Sequence, residues 1–156
     1  MRQRVKQNAD NMLVGAVLAK YMIFKAFHVS FLAQHIVYGP YGKPYLRDYP
    51  HVHFNISHSG CLVACAVSDC PIGVDIQEIV PYRPNVAKHV CTPDELLKIE
   101  TSPNTDIAFT KIWTQKEAYL KMSGVGLSKR LENIGFSQSK VQTFQYMNAF
   151  VSIQEE

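Results

Sequence analysis

Lys116, Glu117 and Lys121 sit close together in the stretch FTKIWTQKEAYLKMSGVGLS, residues 109–128. At a helical advance of about 100° per residue, Phe109, Ile112, Trp113 and Leu120 form one apolar stripe that must face a core. Lys116 projects from the middle of that stripe. Glu117 and Lys121 are neighbours on its shoulder, four residues apart. Lysines and a carboxylate at the edge of a buried face suit a half-buried site for an anion, with a metal on Glu117. A snorkelling Lys116 beside a surface Glu117–Lys121 pair suits the same pattern. This helix alone leaves the two readings level.

A second carboxylate stands in IGVDIQ, residues 72–77. Strand periodicity puts Asp75 and Gln77 on one face. Between Val74 and Ile76, a buried Asp75 needs a partner, whereas at a strand end it simply faces water. In the functional reading, Asp75 and Glu117 share a hard cation. Magnesium takes one or two carboxylates and leaves room for waters and phosphate oxygens. Lys116 and Lys121 then supply charge to a diphosphate. Upstream, NISHSG at 55–60 is either a polar hairpin end or a turn offering backbone N–H groups, Ser57 and His58 to a phosphate. Lys43, in the Gly42-Lys43-Pro44 loop, adds charge to the same ligand.

The elements that must position these residues follow from local pattern. Residues 9–27 read as a helix capped by Asp10 or Asn11, with Leu13, Val14, Val17, Leu18, Tyr21 and Met22 as its core-facing stripe. Residues 31–38 are β-prone and end in the turn sequence GPYGKP. Residues 53–57 and 61–68 form a hairpin about Ser59-Gly60, and residues 72–76 form a further strand. A short helix is expected near 86–90. Another opens at Thr92-Pro93-Asp94-Glu95, where Thr92 and Glu95 make a capping box and Pro93 suits the first turn. Residues 131–153 alternate at Ile134, Phe136, Val141, Phe144 and Tyr146, enough for two or three strands.

Composition narrows the class. The 156 residues suffice for one ordinary domain or two very small ones, and 47% hydrophobic with 19% charged residues is globular. No run approaches the roughly 18 apolar residues of a membrane span, and the polar start MRQRVKQNADN lacks a signal-peptide core. A cytoplasmic protein is expected. The net charge of +3 fits a phosphate-bearing ligand or an acidic partner, and no basic cluster or motif indicates nucleic acid. Cys61, Cys65, Cys70 and Cys91 form neither a CxxC framework nor a secreted disulfide pattern. Cys61 and Cys65 read as small core residues in a reducing compartment. His51, His53, His58 and Cys61 lack the paired spacing of structural zinc sites, and zinc is set aside.

GKP at 42–44, FNISHSG at 54–60, IGVDIQ at 72–77 and WTQKEAYLKMSGVGLS at 113–128 resemble, in that order, the 4′-phosphopantetheinyl transferases of the Sfp type. The short, trimeric holo-acyl-carrier-protein synthases place the GxD segment first and their SHS-like segment last. The similarity runs from about residue 6 to 136. It implies an α+β fold, a pseudo-dimer of two small α/β halves at 1–70 and 71–156. Each half is a mainly antiparallel sheet packed on a long helix, with coenzyme A in the cleft between them. Matched motif by motif, Lys43 with Pro44, Ser57 and His58 hold the 3′-phosphate and adenosine end. Asp75 and Glu117 ligate the metal. Lys116 and Lys121 serve the phosphates and the reacting centre, and Lys20 faces the ligand from the first helix. The implied reaction is magnesium-dependent transfer of phosphopantetheine from coenzyme A to a serine of an acyl or peptidyl carrier protein. Asp75, Glu117 and Lys121 are its catalytic residues, and 3′,5′-adenosine bisphosphate leaves.

Two departures from the family pattern stand out. Gln77 occupies the position where the family commonly has glutamate. Its amide oxygen can ligate magnesium but adds no charge and is no base, so Glu117 or a metal-bound water takes the proton. The leading strand of the first half and closing strands of the second are expected to be missing or shortened. That exposes sheet edges and favours self-association. The competing readings are an inactive coenzyme A or carrier-protein binding module that keeps the cleft, and an unrelated magnesium-dependent phosphodiesterase.

Overall fold

The computed structural model describes residues 2–124 and 141–156. Helix α1 (Arg2–Phe27) leads through a single 3-10 turn (Phe31–Ala33) to the short antiparallel pair β1 (Ile36–Tyr38) and β2 (Pro44–Leu46). Next comes the hairpin of β3 (His53–Ser59) and β4 (Leu62–Ser68), with His53 opposite Ser68 and Ser59 opposite Leu62. Gly60, at φ +57, makes the turn. Helix α1 packs across this hairpin.

The face that α1 buries differs from the expected one. Asn11, Gly15, Ala19 and Ile23 point inward, four residues apart, while Leu13, Val14, Val17 and Tyr21 are exposed. Leu18 and Met22 are half-buried at the edge. The cause is close approach: a Cβ on Gly15 would lie 2.8 Å from Ile56 Cγ2, so the contact line admits small side chains. Asn11 adds a specific contact, Nδ2 donating to Gly60 O at 2.9 Å. The β-prone run 31–38 is likewise only partly strand. Gln34 is buried and donates to Val29 O and Lys20 O, which ties the chain to the end of α1 before β1 begins. Cys65 is partly buried, its thiol pushed up to about 12 by burial, but Cys61 is exposed at the hairpin turn and is no core residue.

The rest of the chain builds a second unit. Strand β5 (Ile72–Glu78) is followed by α2 (Pro84–Val90), α3 (Pro93–Glu100), α4 (Thr105–Ser123), β6 (Gln142–Tyr146) and β7 (Ala149–Glu155). The strands form an antiparallel sheet in the order β5-β7-β6, with Asp75 opposite Ser152. The fold is therefore α+β with antiparallel sheets. Thr92 and Glu95 make the expected capping box at α3. Asn104 Oδ1 caps α4 by accepting from Ile107 N, and Gly124, at φ +67, ends it. The helix thus stops at Ser123, where the Gly-Val-Gly sequence begins; residues 125–128, Ile134 and Phe136 lie outside the described part. Phe109 and Leu120 are buried with Ala87, Val90 and Ile99, and Ile112 and Trp113 pack on them.

Strands β3 and β5 run alongside one another in different sheets, joined through side chains. Val74 N donates to Asn55 Oδ1 (3.1 Å), Ile76 N to Ser57 Oγ (3.2 Å) and Glu78 N to Ser59 Oγ (3.0 Å). The separation is 19 residues each time, so the strands are parallel and in constant register. Alternate side chains of β3 supply acceptors that a neighbouring backbone would otherwise provide.

Candidate active site

Gly73 sets the site. A Cβ there would run into Ala118 O and the backbone of Met122, so glycine lets β5 lie directly on α4. Two residues on, Asp75 meets the last turn of α4. Lys121 Nζ lies 2.6 Å from Asp75 Oδ1 and donates to Ser57 Oγ at 2.8 Å, while Ser57 Oγ donates to Asp75 Oδ1 at 2.8 Å. Burial pushes the Asp75 carboxyl upward, and Lys121 opposes that shift.

Lys121 also lines a cleft of about 240 Å³ together with Lys43, Pro44, Asn55 and Glu117. Burial drives the Glu117 carboxyl upward, the negative charge of Asp75 adds to the shift, and Lys121 opposes it. Lys43 reaches in from the loop before β2. Its Nζ donates to Met122 O (2.5 Å) and Ile72 O (3.4 Å), placing a cation at the C-terminal end of α4. Burial lowers the pKa of this lysine. A groove of about 620 Å³ shares Lys43, Pro44 and Gly124 with the cleft.

Other residues singled out from the sequence lie elsewhere. Lys116 is fully buried, 2.6 Å from Glu95 Oε2, and donates to Val90 O at 2.7 Å; it does not line the cleft. His58 is exposed on the opposite pleat of β3 from Ser57. Lys20 Nζ donates to Phe31 O at 3.5 Å. Gln77 lines a separate cavity with Arg83, Phe109 and Trp113, and its Nε2 donates to Ser59 Oγ at 3.2 Å.

Asn55 and Glu95 were missed in the sequence. Asn55 lines the cleft and holds Val74 N; its signal is the run of polar residues at 55, 57 and 59 on one strand face. Glu95 forms the expected cap, and the same Oε2 also holds Lys116. Nothing in the local pattern announces that second partner.

Residues 71–154 match the 4'-phosphopantetheinyl transferase superfamily. The 4'-phosphopantetheinyl transferase Sfp of Bacillus subtilis (strain 168) is 36% identical over 131 residues, 82% of this chain and 58% of its own length. A 4'-phosphopantetheinyl transferase of Bacillus pumilus is 34% identical over 136 residues, 85% of this chain and 58% of its own. The solved holo-[acyl-carrier-protein] synthase of Neisseria meningitidis aligns with a TM-score of 0.47 and 18% identity, over 55% of this chain and 98% of that one. The chain thus spans less than two thirds of the length of these Bacillus relatives. The superfamily match takes in more than half of the chain, with Asp75, Glu117 and Lys121 inside it. The chain belongs to the 4'-phosphopantetheinyl transferase superfamily.

Proposed function

We propose that the chain transfers 4′-phosphopantetheine from coenzyme A to a serine hydroxyl of an acyl or peptidyl carrier protein, with magnesium, releasing 3′,5′-adenosine bisphosphate. One observation carries this reading: Glu117, Lys121 and Lys43 line one cleft, and behind it Asp75 is held by Lys121 and close enough to Glu117 for its charge to raise that carboxyl. Two mutually repelling carboxylates next to an anion-binding pair of lysines fit a hard divalent cation with a phosphate ligand. Among the described residues no three His, Cys, Asp or Glu side chains converge, so water and phosphate oxygens supply the remaining ligands. Gln77, facing the neighbouring cavity, does not join that set in this geometry.

When bound, magnesium neutralises charge on the diphosphate. Lys43 and Lys121 hold the anionic ligand, and the cleft and its adjoining groove give room for a nucleotide. The carrier serine Oγ bonds to the pantetheine-bearing phosphorus as the bond to the adenosine bisphosphate oxygen breaks. The hydroxyl proton passes to Glu117, whose carboxylate lines the cleft. In this reading the halves are residues 1–70 and 71–156, meeting along β3 and β5. Cytoplasmic location belongs to it too; among the described residues no helix is long and apolar enough to cross a membrane. So does self-association, through β6, which is an edge strand among the described residues and exposes Phe144 and Tyr146.

The second reading is a coenzyme A or carrier-protein binding module without turnover. The observation favouring it is Gln77, whose neutral amide is bound to Ser59. Mass spectrometry of a carrier protein incubated with the chain, coenzyme A and magnesium decides. Transfer gives a phosphopantetheine mass gain. Binding without gain supports the module, and coenzyme A hydrolysis a phosphodiesterase.

A further inference from the structure

We infer that Thr114 and Ser152 are positioning residues: a directed chain of buried hydroxyls runs through them, clamps α4 to the sheet and sets the aim of Glu117. The inference rests on the transferase reading of the cleft. A serine or threonine hydroxyl has one proton to give. Thr114 Oγ1 gives its own to Lys111 O at 2.9 Å, so across the 3.0 Å contact between Thr114 and Ser152 the serine donates. That spends the Ser152 proton. Thr143 Oγ1 therefore donates to Ser152 Oγ at 3.0 Å, and itself accepts from Gln115 Nε2 at 3.0 Å. The order is fixed, from Gln115 through Thr143, Ser152 and Thr114 to Lys111, and it begins and ends on α4. Thr114 and Ser152 are fully buried and do not line the cleft, so neither hydroxyl meets a ligand.

The sheet register explains the demand. Ser152 of β7 stands directly opposite Asp75 of β5, and both side chains meet α4. Thr114, Glu117 and Lys121 follow one another at three and four residues, which puts them within about 60° of one another around the helix. Glu117 is the middle one of the three, so the direction of its carboxylate follows the rotation of α4. Where Gly73 meets Ala118 and Met122, strand lies on helix backbone; that contact sets their spacing but has no side chain to stop the helix turning. A hydrogen bond is directional, so the Thr114–Ser152 link supplies the stop, and Thr143 extends it to β6. The hydroxyls touch neither ligand nor metal, and they hold α4 alike with the cleft empty or filled.

The test uses the full chain with Thr114→Val, Ser152→Ala and Thr114→Ser, and with Thr110→Val as the control, read by transfer kinetics and crystallography. Thr110 is also a fully buried threonine of α4, but it bonds Asp106 O and Val80 N and has no part in the hydroxyl chain. In Thr114→Val and in Ser152→Ala, kcat falls about 10–100-fold with little change in KM for coenzyme A, as a misplacement of about 1 Å would give. The magnesium concentration for half-maximal rate rises in both. Thr114→Ser, which keeps the hydroxyl, restores both quantities, and Thr110→Val keeps the parent kcat. The double variant Thr114→Val/Ser152→Ala falls no further than the worse single one, since one broken link opens the chain. Should Thr114→Val not fold, Ser152→Ala, which removes a single oxygen, carries the same readouts. Parent-level kcat in the folded variants overturns the inference. Equal losses in Thr110→Val and Thr114→Val overturn it too, because only stability is then at stake, and so do additive losses in the double variant. If the parent neither binds coenzyme A nor transfers, the transferase reading fails, and the crystal structures still decide whether the hydroxyls set α4. A helix turned against β7 in Thr114→Val but not in Thr110→Val sustains that role, and any other pattern overturns it.

Discussion

Lys121 Nζ lies 2.6 Å from Asp75 Oδ1, joining the last turn of α4 to the middle of β5. Asp75 is buried and Lys121 only partly so, which leaves the lysine able to serve both the carboxylate and the cleft. Asp75→Ala is expected to reduce magnesium-dependent transfer by at least about a hundredfold. Gly73 still seats β5 on α4, so far-UV circular dichroism should stay near that of the parent. Unchanged transfer at limiting magnesium would remove Asp75 from the site.

Glu117 is expected to cost stability at neutral pH when no metal is bound. Its carboxyl is raised in the folded state, by burial first and then by Asp75. Its stabilising contribution is fully present below the ordinary carboxylate range near about pH 4 and is lost as pH rises through the raised value. Glu117→Gln should therefore melt higher than the parent in chelator at pH 7, by about 2–4 °C, and lose that advantage at acid pH. Magnesium should narrow the gap by stabilising the parent. Transfer by the variant should fall about 10²–10⁴-fold. Thermal scans with chelator and with magnesium, across pH, check the sign.

Lys43→Ala should weaken coenzyme A more than dephospho-coenzyme A, since the lysine reaches into the cleft from the loop assigned to the nucleotide end. The lost charged contact is worth about 1.5–3 kcal/mol. Because burial lowers the Lys43 pKa, the parent's affinity should decline with rising pH earlier than an ordinary lysine would dictate. Calorimetry between neutral and alkaline pH measures both effects; equal losses for the two ligands would place the 3′-phosphate elsewhere.

Lys116 and Glu95 form a buried ion pair between α4 and α3. Removing one partner takes from the other the opposite charge it is buried against. Lys116→Met alone or Glu95→Leu alone should destabilise by about 3–5 kcal/mol, whereas the double change should recover most of that loss. Urea unfolding of the three variants reads the coupling. Additive losses would show that the pair is not the unit.

Local spacing made much of this protein legible in its sequence. Thr92 and Glu95 stand at capping-box distance, Ser59-Gly60 separates two strands, and Glu117 and Lys121 share a helix face whatever surrounds them. Hydrogen-bond reach within one turn sets such features, so they are present before any packing. The GxD strand and the KEAYLK helix are likewise readable as elements that carry candidate site residues.

Long-range packing decided the rest. Lys116 and Lys121 look alike in the sequence, yet one is committed to Glu95 and the other to Asp75, because α3 covers one side of α4 and β5 the other. The Leu13–Val17–Tyr21 stripe of α1 would bury more apolar surface, but the β3–β4 hairpin approaches too closely for anything larger than glycine at position 15. The Ser57 hydroxyl accepts from Ile76 N of β5, a partner 19 residues away that the local pattern does not announce. A residue's type and its near neighbours dictate what it can bind; which of those bonds it makes depends on the element that folding brings against it.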